Sequence, residues 1–376
     1  MPEKPIYSIN PDRTKPWNDL PPLPIQEELF KDYEILEQLG EAKAAIGRLQ
    51  GRSIAIPDQG LFINTISLQE AKASSAIENI FTTDDELYRA YSEQNVEQIQ
   101  GAPKEILRYR EALWMGHAYL KQSEKFDQDY FVQMYREIKQ AGDGIRAPFA
   151  AIVIKQGGTG PNAGKIIYTP PRGKDTVEAM LDNLIQFMNN EGDKLDPLLK
   201  MAISHFQFEA IHPFTDGNGR AGRIMNIHFL TQQGLLDYPI LFLSRYIIDN
   251  KDAYYAGLSG ISQRGDWKSW ILYMLKAVKV TSNITYQKIN DIIATKDAIH
   301  KLIEDETEIR RPDKLVEAIF TQPYTKVKHL VDAGIYAENT AREYLNTLTK
   351  LKVLEKKVLT GHHYYLNLEL HRILSE

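Results

Sequence analysis

The chain has 376 residues, 43% of them hydrophobic and 25% charged, the balance of a globular protein with core enough for two or three domains. It contains no cysteine, which excludes disulfides, thiolate catalysis and cysteine-ligated zinc and suits a reducing cytoplasm. A net charge of −5 argues against bulk nucleic-acid affinity; no apolar run reaches the ~18 residues of a membrane helix, and the start, with Glu3, Lys4 and several prolines, does not read as a signal peptide.

Residues 1 to 24 are rich in proline and predict an extended arm. Leu20–Pro24 fits either a polyproline ligand for a partner or a strap on its own domain; Trp17, Leu20 and Leu23 need burial, which favours the strap. From Ile25 to Gln50 apolar residues recur at helical spacing, and Gly51 is expected to break the run. Over Ser67–Ile80 a second helix is expected, with Ser67 and Glu70 as a capping box at its start. Ser74 and Glu78, four apart, share one face of it; taken alone, Glu78 reads as a solvated charge. Ile106–Ser123 and Tyr130–Gln140 predict further amphipathic helices. The period then changes: Ala150–Ile154 and Ile166–Tyr168 are β-prone, with turn chemistry from Gly157 to Gly164 between them and Pro170–Pro171 after, a hairpin with a long loop. Val177–Asn190 returns to helix.

The most informative stretch follows. Met201–Ile211 predicts a buried helix, and Pro213 stops it, placing His212 at its exit. The apolar pattern resumes at Ile224, so a second helix should begin near Gly219 or Arg220. Gly217 and Gly219 are expected to allow positive φ and to turn backbone N–H groups inward. The second helix then offers unpaired N–H groups and the positive end of a dipole, and Arg220 and Arg223 project from one side of it. These parts suit a polyphosphate, with Asp216 as a cation ligand and His212 as a base. No Gly-Lys-Ser/Thr follows the glycines, so this is not a Walker loop, and no two histidines have the HExxH spacing of a zinc enzyme.

After Pro239 come more helical segments, with Tyr246, Trp267, Trp270 and Tyr273 expected in core, then a long helical pattern over Ala277–Glu308. Arg310-Arg311-Pro312 marks a boundary. Beyond it, Lys314–Phe320, Thr325–Ala333 and a third segment capped by Asn339 and running over Thr340–Leu351 predict helices. Val353–Leu359 and His363–Leu366 predict a hairpin. The expected division is 1–105 as an N-terminal helical region, 106–308 as the core and 309–376 as a C-terminal unit.

The run His212-Pro-Phe-Thr-Asp-Gly-Asn-Gly-Arg-Ala-Gly-Arg223 resembles the signature of the Fic (filamentation-induced-by-cAMP) family, His-x-Phe-x-Asp/Glu-Gly-Asn-Gly-Arg-x-x-Arg, at every specified position. The resemblance implies a mainly α fold: a Fic helical-bundle core with a β-hairpin flap, an N-terminal helical domain and a C-terminal winged helix-turn-helix. It also implies transfer of AMP from ATP to a Tyr, Ser or Thr hydroxyl of a target protein and of the chain itself. His212 would be the base, its ordinary pKa of ~6.5 suiting the role. Asp216 would hold Mg²⁺, Gly217, Asn218 and Gly219 would form the anion hole, and Arg220 and Arg223 would clamp the outer phosphates. Phe214 should be buried beneath the loop.

Beside that signature, Ser74-x-x-x-Glu78-Asn79 resembles the inhibitory motif Ser/Thr-x-x-x-Glu-Gly/Asn of autoinhibited family members, whose glutamate pairs with the second signature arginine, here Arg223. The hairpin resembles the flap that guides a target by strand pairing, with Ile154, Gly157, Gly158, Thr159, Gly160 and Ile166 as docking residues. A Leu-Pro-Pro-Leu segment similar to Leu20–Leu23 precedes the first helix in multidomain relatives. In the C-terminal unit Thr340, Arg342, Asn346, Lys350, Lys356 and Lys357 would face DNA if it binds DNA. Its net charge from Arg310 to Glu376 is +3, from 11 Lys/Arg against 8 Asp/Glu, low for that task, so protein docking or a homodimer is equally compatible. The alternatives are removal of AMP by the same site, with Glu78 positioning water, and a DNA-binding regulator that uses the core as a nucleotide sensor.

Overall fold

The computed structural model describes residues 7–54, 59–93, 99–155, 163–359 and 362–375. Among them the helices run, in chain order, α1 Tyr33–Ile54, α2 Gln59–Ile77, α3 Asp84–Tyr91, α4 Ala102–Ser123 and α5 Gln128–Lys139. The short strands β1 Ile154–Lys155 and β2 Ile166–Tyr168 come next, then α6 Lys174–Asn189, α7 Pro197–Ile211, α8 Asn218–Gln232, α9 Leu243–Asp249, α10 Lys251–Arg264 and α11 Trp267–Glu306. The C-terminal part holds α12 Pro312–Phe320, β3 Tyr324–Thr325, α13 Val327–Asp332, α14 Glu338–Lys350, β4 Leu354–Leu359, β5 His362–Asn367 and α15 Leu368–Ser375. The fold is mainly α, as its sequence periods require.

The helices nearest the signature are the most buried. On α7 nearly every side chain from Leu198 to Ile211 is inside, and on α8 every residue from Arg220 to Leu230. A helix enclosed on all sides shows little amphipathic period, which fits its place between other elements rather than at a surface. Here α7 packs between α6, α8 and α11, while α8 also meets α4 and α5. Trp270 of α11 donates from Nε1 to Ala202 O at 2.8 Å, satisfying its polar atom inside that core. Along α1 the buried Ile35, Leu39, Ala42, Ile46 and Leu49 form one stripe against α11, and each large apolar side chain so buried contributes about 1.5–3 kcal/mol.

Several local expectations give way to packing. Gly51 does not break α1, which continues to Ile54; the cost of about 1 kcal/mol for glycine in a helix is small beside that apolar stripe. Nor does Ser67 start a helix. It is buried inside α2, which begins eight residues earlier and ends at Ile77 rather than Ile80. Glu70 is spent on tertiary contacts instead of a cap, accepting from Tyr109 Oη at 3.1 Å and from the Ser244 amide at 2.8 Å. Likewise Asn339 lies within α14, whose cap position is Ala337.

The arm is a strap. Trp17, Leu20 and Leu23 are buried, Asn183 exchanges two hydrogen bonds with the Leu23 backbone at 2.8 and 2.9 Å, and Gln207 donates to Pro21 O at 3.0 Å. Its Trp17 amide also donates to Thr169 O at 3.2 Å, bracing the strand exit after β2. β1 and β2 pair antiparallel, Ile154 opposite Tyr168 and Lys155 opposite Ile166, with an irregularity between. Of the flap residues, Ile154 and Ile166 lie on this pair; Gly157, Gly158, Thr159 and Gly160 lie outside the described residues.

In the C-terminal unit β5 is central in an antiparallel sheet ordered β3-β5-β4. This unit is fastened to α3 and to Glu93 just after it. Tyr324 Oη donates to Asp85 at 2.7 Å, Lys326 Nζ meets Glu93 at 2.6 Å, and Lys357 turns toward Asp85 at 3.7 Å. Lys357 therefore does not share an outward face with its neighbour Lys356, which sits over the Tyr365 ring. Period-two alternation along β4 separates them. Asn346 is also engaged internally, accepting from Tyr365 Oη at 3.0 Å, and Arg342 pairs with Glu338 at 2.6 Å.

Candidate functional site

Pro213 ends α7, and His212 caps it in the left-handed region at φ 51°, its amide still bonded to Phe208 O at 3.0 Å. The turn that follows is held from three sides. Phe214 is fully buried and stacks on Tyr135 with ring centroids 4.4 Å apart. The Asn218 side chain accepts from Phe214 N and donates to Phe214 O, both at 2.9 Å, closing the loop on itself. Arg146, buried and unforeseen from sequence, donates from Nε to His212 O at 2.8 Å, from its own amide to Pro213 O at 3.0 Å, and from Nη2 to Pro171 O. The Asn218 amide is therefore structural, leaving its backbone N–H as its contribution toward a ligand.

Gly217 takes φ 72° as the residue before α8. Gly219 does not: it lies within the helix, where an added Cβ would meet the end of the Glu78 side chain while that carboxylate is in place. Helix geometry leaves the N–H groups of Asn218, Gly219 and Arg220 without carbonyl partners in the helix. A carboxylate thus sits over the positive end of α8, where an anion is favoured.

That carboxylate belongs to Glu78, the first residue after α2. Arg223, 1% exposed, donates from Nη2 to Glu78 Oε1 at 2.8 Å and to Ser74 O at 2.9 Å, and from Nε to Ser74 Oγ at 2.8 Å. Asn79 follows at φ 63°, a left-handed position that asparagine tolerates better than most residues. Burial opposes ionisation of Glu78, but the Arg223 charge and hydrogen bond outweigh it and hold the carboxyl below its usual range. Arg220 is different. Its Nη1 meets Glu105 Oε2 of α4 at 3.1 Å, and its side chain does not line the cavity that Arg223 lines.

Asp216 is the most exposed of these groups. Its Oδ1 accepts from the Gly217 amide and its Oδ2 meets Lys139 Nζ, each at 2.6 Å. His212 is pushed down to about 4, first by burial and then by the Arg146 charge, below the ordinary value expected from sequence. Its Nδ1 is buried without a hydrogen-bond partner among the described residues. Two further buried carboxyls are pushed up by desolvation to about 7: Glu70, and Glu209 one turn before His212.

These groups meet in one cavity of about 400 Å³. Its lining combines the polar Glu78, His212, Asp216, Gly217, Asn218, Gly219 and Arg223 with Phe206, Tyr254, Tyr255 and Leu258. Val153, Ile154, Ile167 and Tyr168 form the hairpin wall. A compartment of this volume that joins an anion site to aromatic and aliphatic side chains fits a nucleotide-sized ligand. Glu105, Lys139 and Arg146 escaped the sequence reading because each reaches its partner from a distant part of the chain, and Glu70 was read only as a cap.

Residues 36–118 match the family model described as Fic/DOC family N-terminal, residues 125–230 that of the Fic/DOC family, and residues 296–370 the protein adenylyltransferase SoFic-like C-terminal domain. Among curated proteins the chain is 27% identical to protein adenylyltransferase fic-1 of Caenorhabditis briggsae over 157 residues, 42% of this chain and 28% of that one. It is 25% identical to protein adenylyltransferase Fic of Drosophila willistoni over 142 residues, 38% and 26%. The chain spans under a third of the length of the curated relatives it matches. A crystal structure of a Fic family protein from Desulfovibrio desulfuricans superposes with a TM-score of 0.55 over 92% of this chain and 98% of that one at 19% identity. A Fic domain containing signaling protein from Bacteroides thetaiotaomicron gives 0.51 over 68% and 97% at 16%. Those two likenesses concern the fold.

Proposed function

The chain belongs to the Fic/DOC family, and on that premise we propose that it is an autoinhibited protein adenylyltransferase. It moves AMP from ATP to a hydroxyl side chain of a target protein and of itself. The observation that carries the reading is the Glu78 carboxylate seated over the first turn of α8 and on Arg223, an anion where a phosphate of ATP would lie.

In the reaction the target hydroxyl oxygen bonds to the α-phosphorus of ATP as the bond to the β-phosphate oxygen breaks and pyrophosphate leaves. The hydroxyl proton passes to His212, which is unprotonated through the neutral range and so ready to accept it. An anionic ligand beside the imidazole raises its pKa from about 4 toward neutrality and makes it a stronger base as the site fills. The backbone N–H groups of Asn218, Gly219 and Arg220 stabilise phosphate charge, and Arg223 takes the outermost phosphate once Glu78 withdraws. Arg220, held by Glu105, contributes its amide and its positive field. Arg146 and Asn218 hold the loop in shape, which fixes where His212 stands relative to α8.

Asp216 fits a Mg²⁺ ligand. It lines the cavity, and its Oδ2 already faces a cation in Lys139. No group of three or more His, Asp or Glu that could hold a metal exists among the described residues, so the phosphates would supply the remaining oxygen ligands, the arrangement Mg²⁺ favours. The ion when bound offsets phosphate charge. For the target, β1 has β2 as its strand partner among the described residues, and its other side is available to an added strand.

The test is incubation of the chain, and of its Glu78→Gly variant with and without His212→Ala, with α-labelled ATP and a cell lysate. The reading requires label on protein that appears with Glu78→Gly and disappears when His212→Ala is added. Label that persists without His212 would assign the base elsewhere.

A further inference from the structure

Lys139 is the last residue of α5, and Gln140 beyond it turns left-handed at φ 52° to end the helix. Its stem lies across Gly217: the Cγ and Cδ atoms stand 3.3 Å from where a Gly217 Cβ would be. From there Nζ reaches Asp216 Oδ2 at 2.6 Å, while Oδ1 is bound by the Gly217 amide, so both carboxylate oxygens are occupied by the protein. Lys139 is 26% exposed against 65% for Asp216. The ammonium thus approaches from the protein side and leaves the carboxylate open to solvent. We propose that Lys139 is a placeholder cation: it holds Asp216 for the divalent ion and competes with that ion for the same oxygen. The inference rests on the reading of Asp216 as the metal's protein ligand.

The competition follows from geometry and charge. A Mg²⁺ or Mn²⁺ ion bonds a carboxylate oxygen at about 2.0–2.2 Å. With an ammonium 2.6 Å from the same oxygen, two positive centres would crowd one lone-pair region, so the lysine must swing away. It gives up a partly exposed ion pair when it does, and that loss together with the repulsion weakens metal binding roughly five- to tenfold. Nucleotide changes this balance. Its phosphates bring ligands for the ion and a new partner for the freed ammonium, so Lys139 makes metal loading depend on nucleotide more strongly than Asp216 alone would.

The test measures metal binding and needs no turnover. Mn²⁺ is titrated into the full chain without nucleotide, free Mn²⁺ is read by electron paramagnetic resonance, and wild type is compared with Lys139→Met, Asp216→Asn and the double variant. Methionine keeps an unbranched apolar chain over Gly217 while removing the charge; Lys139→Gln serves as a second neutral variant if it unfolds. Lys139→Met should bind Mn²⁺ five- to tenfold more tightly than wild type, the gain should vanish with Asp216→Asn, and a non-hydrolysable ATP analogue should bring wild type and Lys139→Met together. Equal Mn²⁺ affinity in wild type and Lys139→Met, both weakened by Asp216→Asn, overturns the placeholder and leaves the metal reading standing. Binding that ignores Asp216→Asn in both backgrounds overturns the metal reading and the placeholder with it.

Discussion

Replacing Glu78 with glycine tests the contact on which the proposed autoinhibition depends, and its size can be worked from the pair. The two charges lie 2.8 Å apart, which at an effective dielectric of about 20 is a gross attraction of about 6 kcal/mol. Arg223 is almost wholly buried while Glu78 is 35% exposed; desolvation of the first and screening of the second leave about 2 kcal/mol net. If that is what opening must overcome, about 3% of molecules are open at any moment, and ATP affinity is lowered by the same fraction. Glu78→Gly should therefore tighten ATP binding and raise self-labelling at sub-saturating ATP by about 30-fold. Calorimetry reads the first and initial rates with α-labelled ATP read the second. Glu78→Gln, which keeps the volume and an acceptor, should fall between. The ligand-free glycine variant should also melt earlier, because Arg223 is left as a buried cation with only Ser74 to hold it, and ATP should restore part of the loss. Labelling and affinity within twofold of wild type would refute the argument.

Three further outcomes follow from buried polar groups. Because kcat/KM reports the free enzyme, its acid limb in the Glu78→Gly background should lie well below 6.5, toward the value of about 4 that burial and Arg146 impose on His212; a midpoint at 6.5 would place the base in a more open site. His117, His205, His212 and His228 stand at about 4, 3, 4 and 3, each lowered chiefly by burial. Their folded values lie below the unfolded ~6.5, so their stabilisation is complete above that pH and drains as pH falls through it. Glu70 and Glu209, raised to about 7, act in the opposite sense and lose stability as pH rises from ~4.3. The four imidazoles prevail, so urea-derived stability should drop from pH 6.5 to 5, and a flat profile would contradict them. Finally, Tyr130 Oη and the Leu113 carbonyl satisfy the two nitrogens of the buried His228 at 2.7 Å each. Tyr130→Phe should cost about 1–3 kcal/mol by orphaning Nδ1, read as a lowered urea midpoint, and an unchanged midpoint would mean the contact is already replaced by water.

The loop between α7 and α8 was legible because its chemistry is local. Pro213 can only stop a helix, and Gly217 supplies the positive φ that starts the next one. Where local chemistry and packing disagreed, packing prevailed. Ser67 and Glu70 have the spacing of a capping box, but α2 buries both, and Glu70 is worth more as an acceptor for Tyr109 and Ser244 than as a cap. Gly219, expected to take positive φ, instead lies within α8 against the Glu78 carboxylate. The short helices α3 and α15 carry few residues over which a period could declare itself, and both were missed. Polar pairing across the chain was the least legible of all. Arg220 and Glu105 are 115 residues apart, and no pattern in sequence announces such a pair.

Those hidden pairs change how the site should be understood. Each charge expected to meet ATP or its metal already has a protein partner of opposite sign: Arg223 has Glu78, Arg220 has Glu105, and Asp216 has Lys139. The site is therefore neutralised pair by pair, and ATP must exchange partners rather than meet free charges. Exchange also means that the pairs do not act alone. Arg220 adds to the field that keeps Glu78 ionised, and it sits three residues from Arg223 on one helix, so freeing it from Glu105 should strengthen its pull on Glu78. A double-mutant cycle of Glu78→Gly and Glu105→Ala, read as ATP affinity, measures this directly. Glu105→Ala alone should change affinity little or weaken it, because a freed Arg220 tightens the brake. In the Glu78→Gly background the same substitution should strengthen binding, because Arg220 can then turn to phosphate. Effects that add within about 0.5 kcal/mol would show the two arginines to be independent and would return Arg220 to a purely structural role.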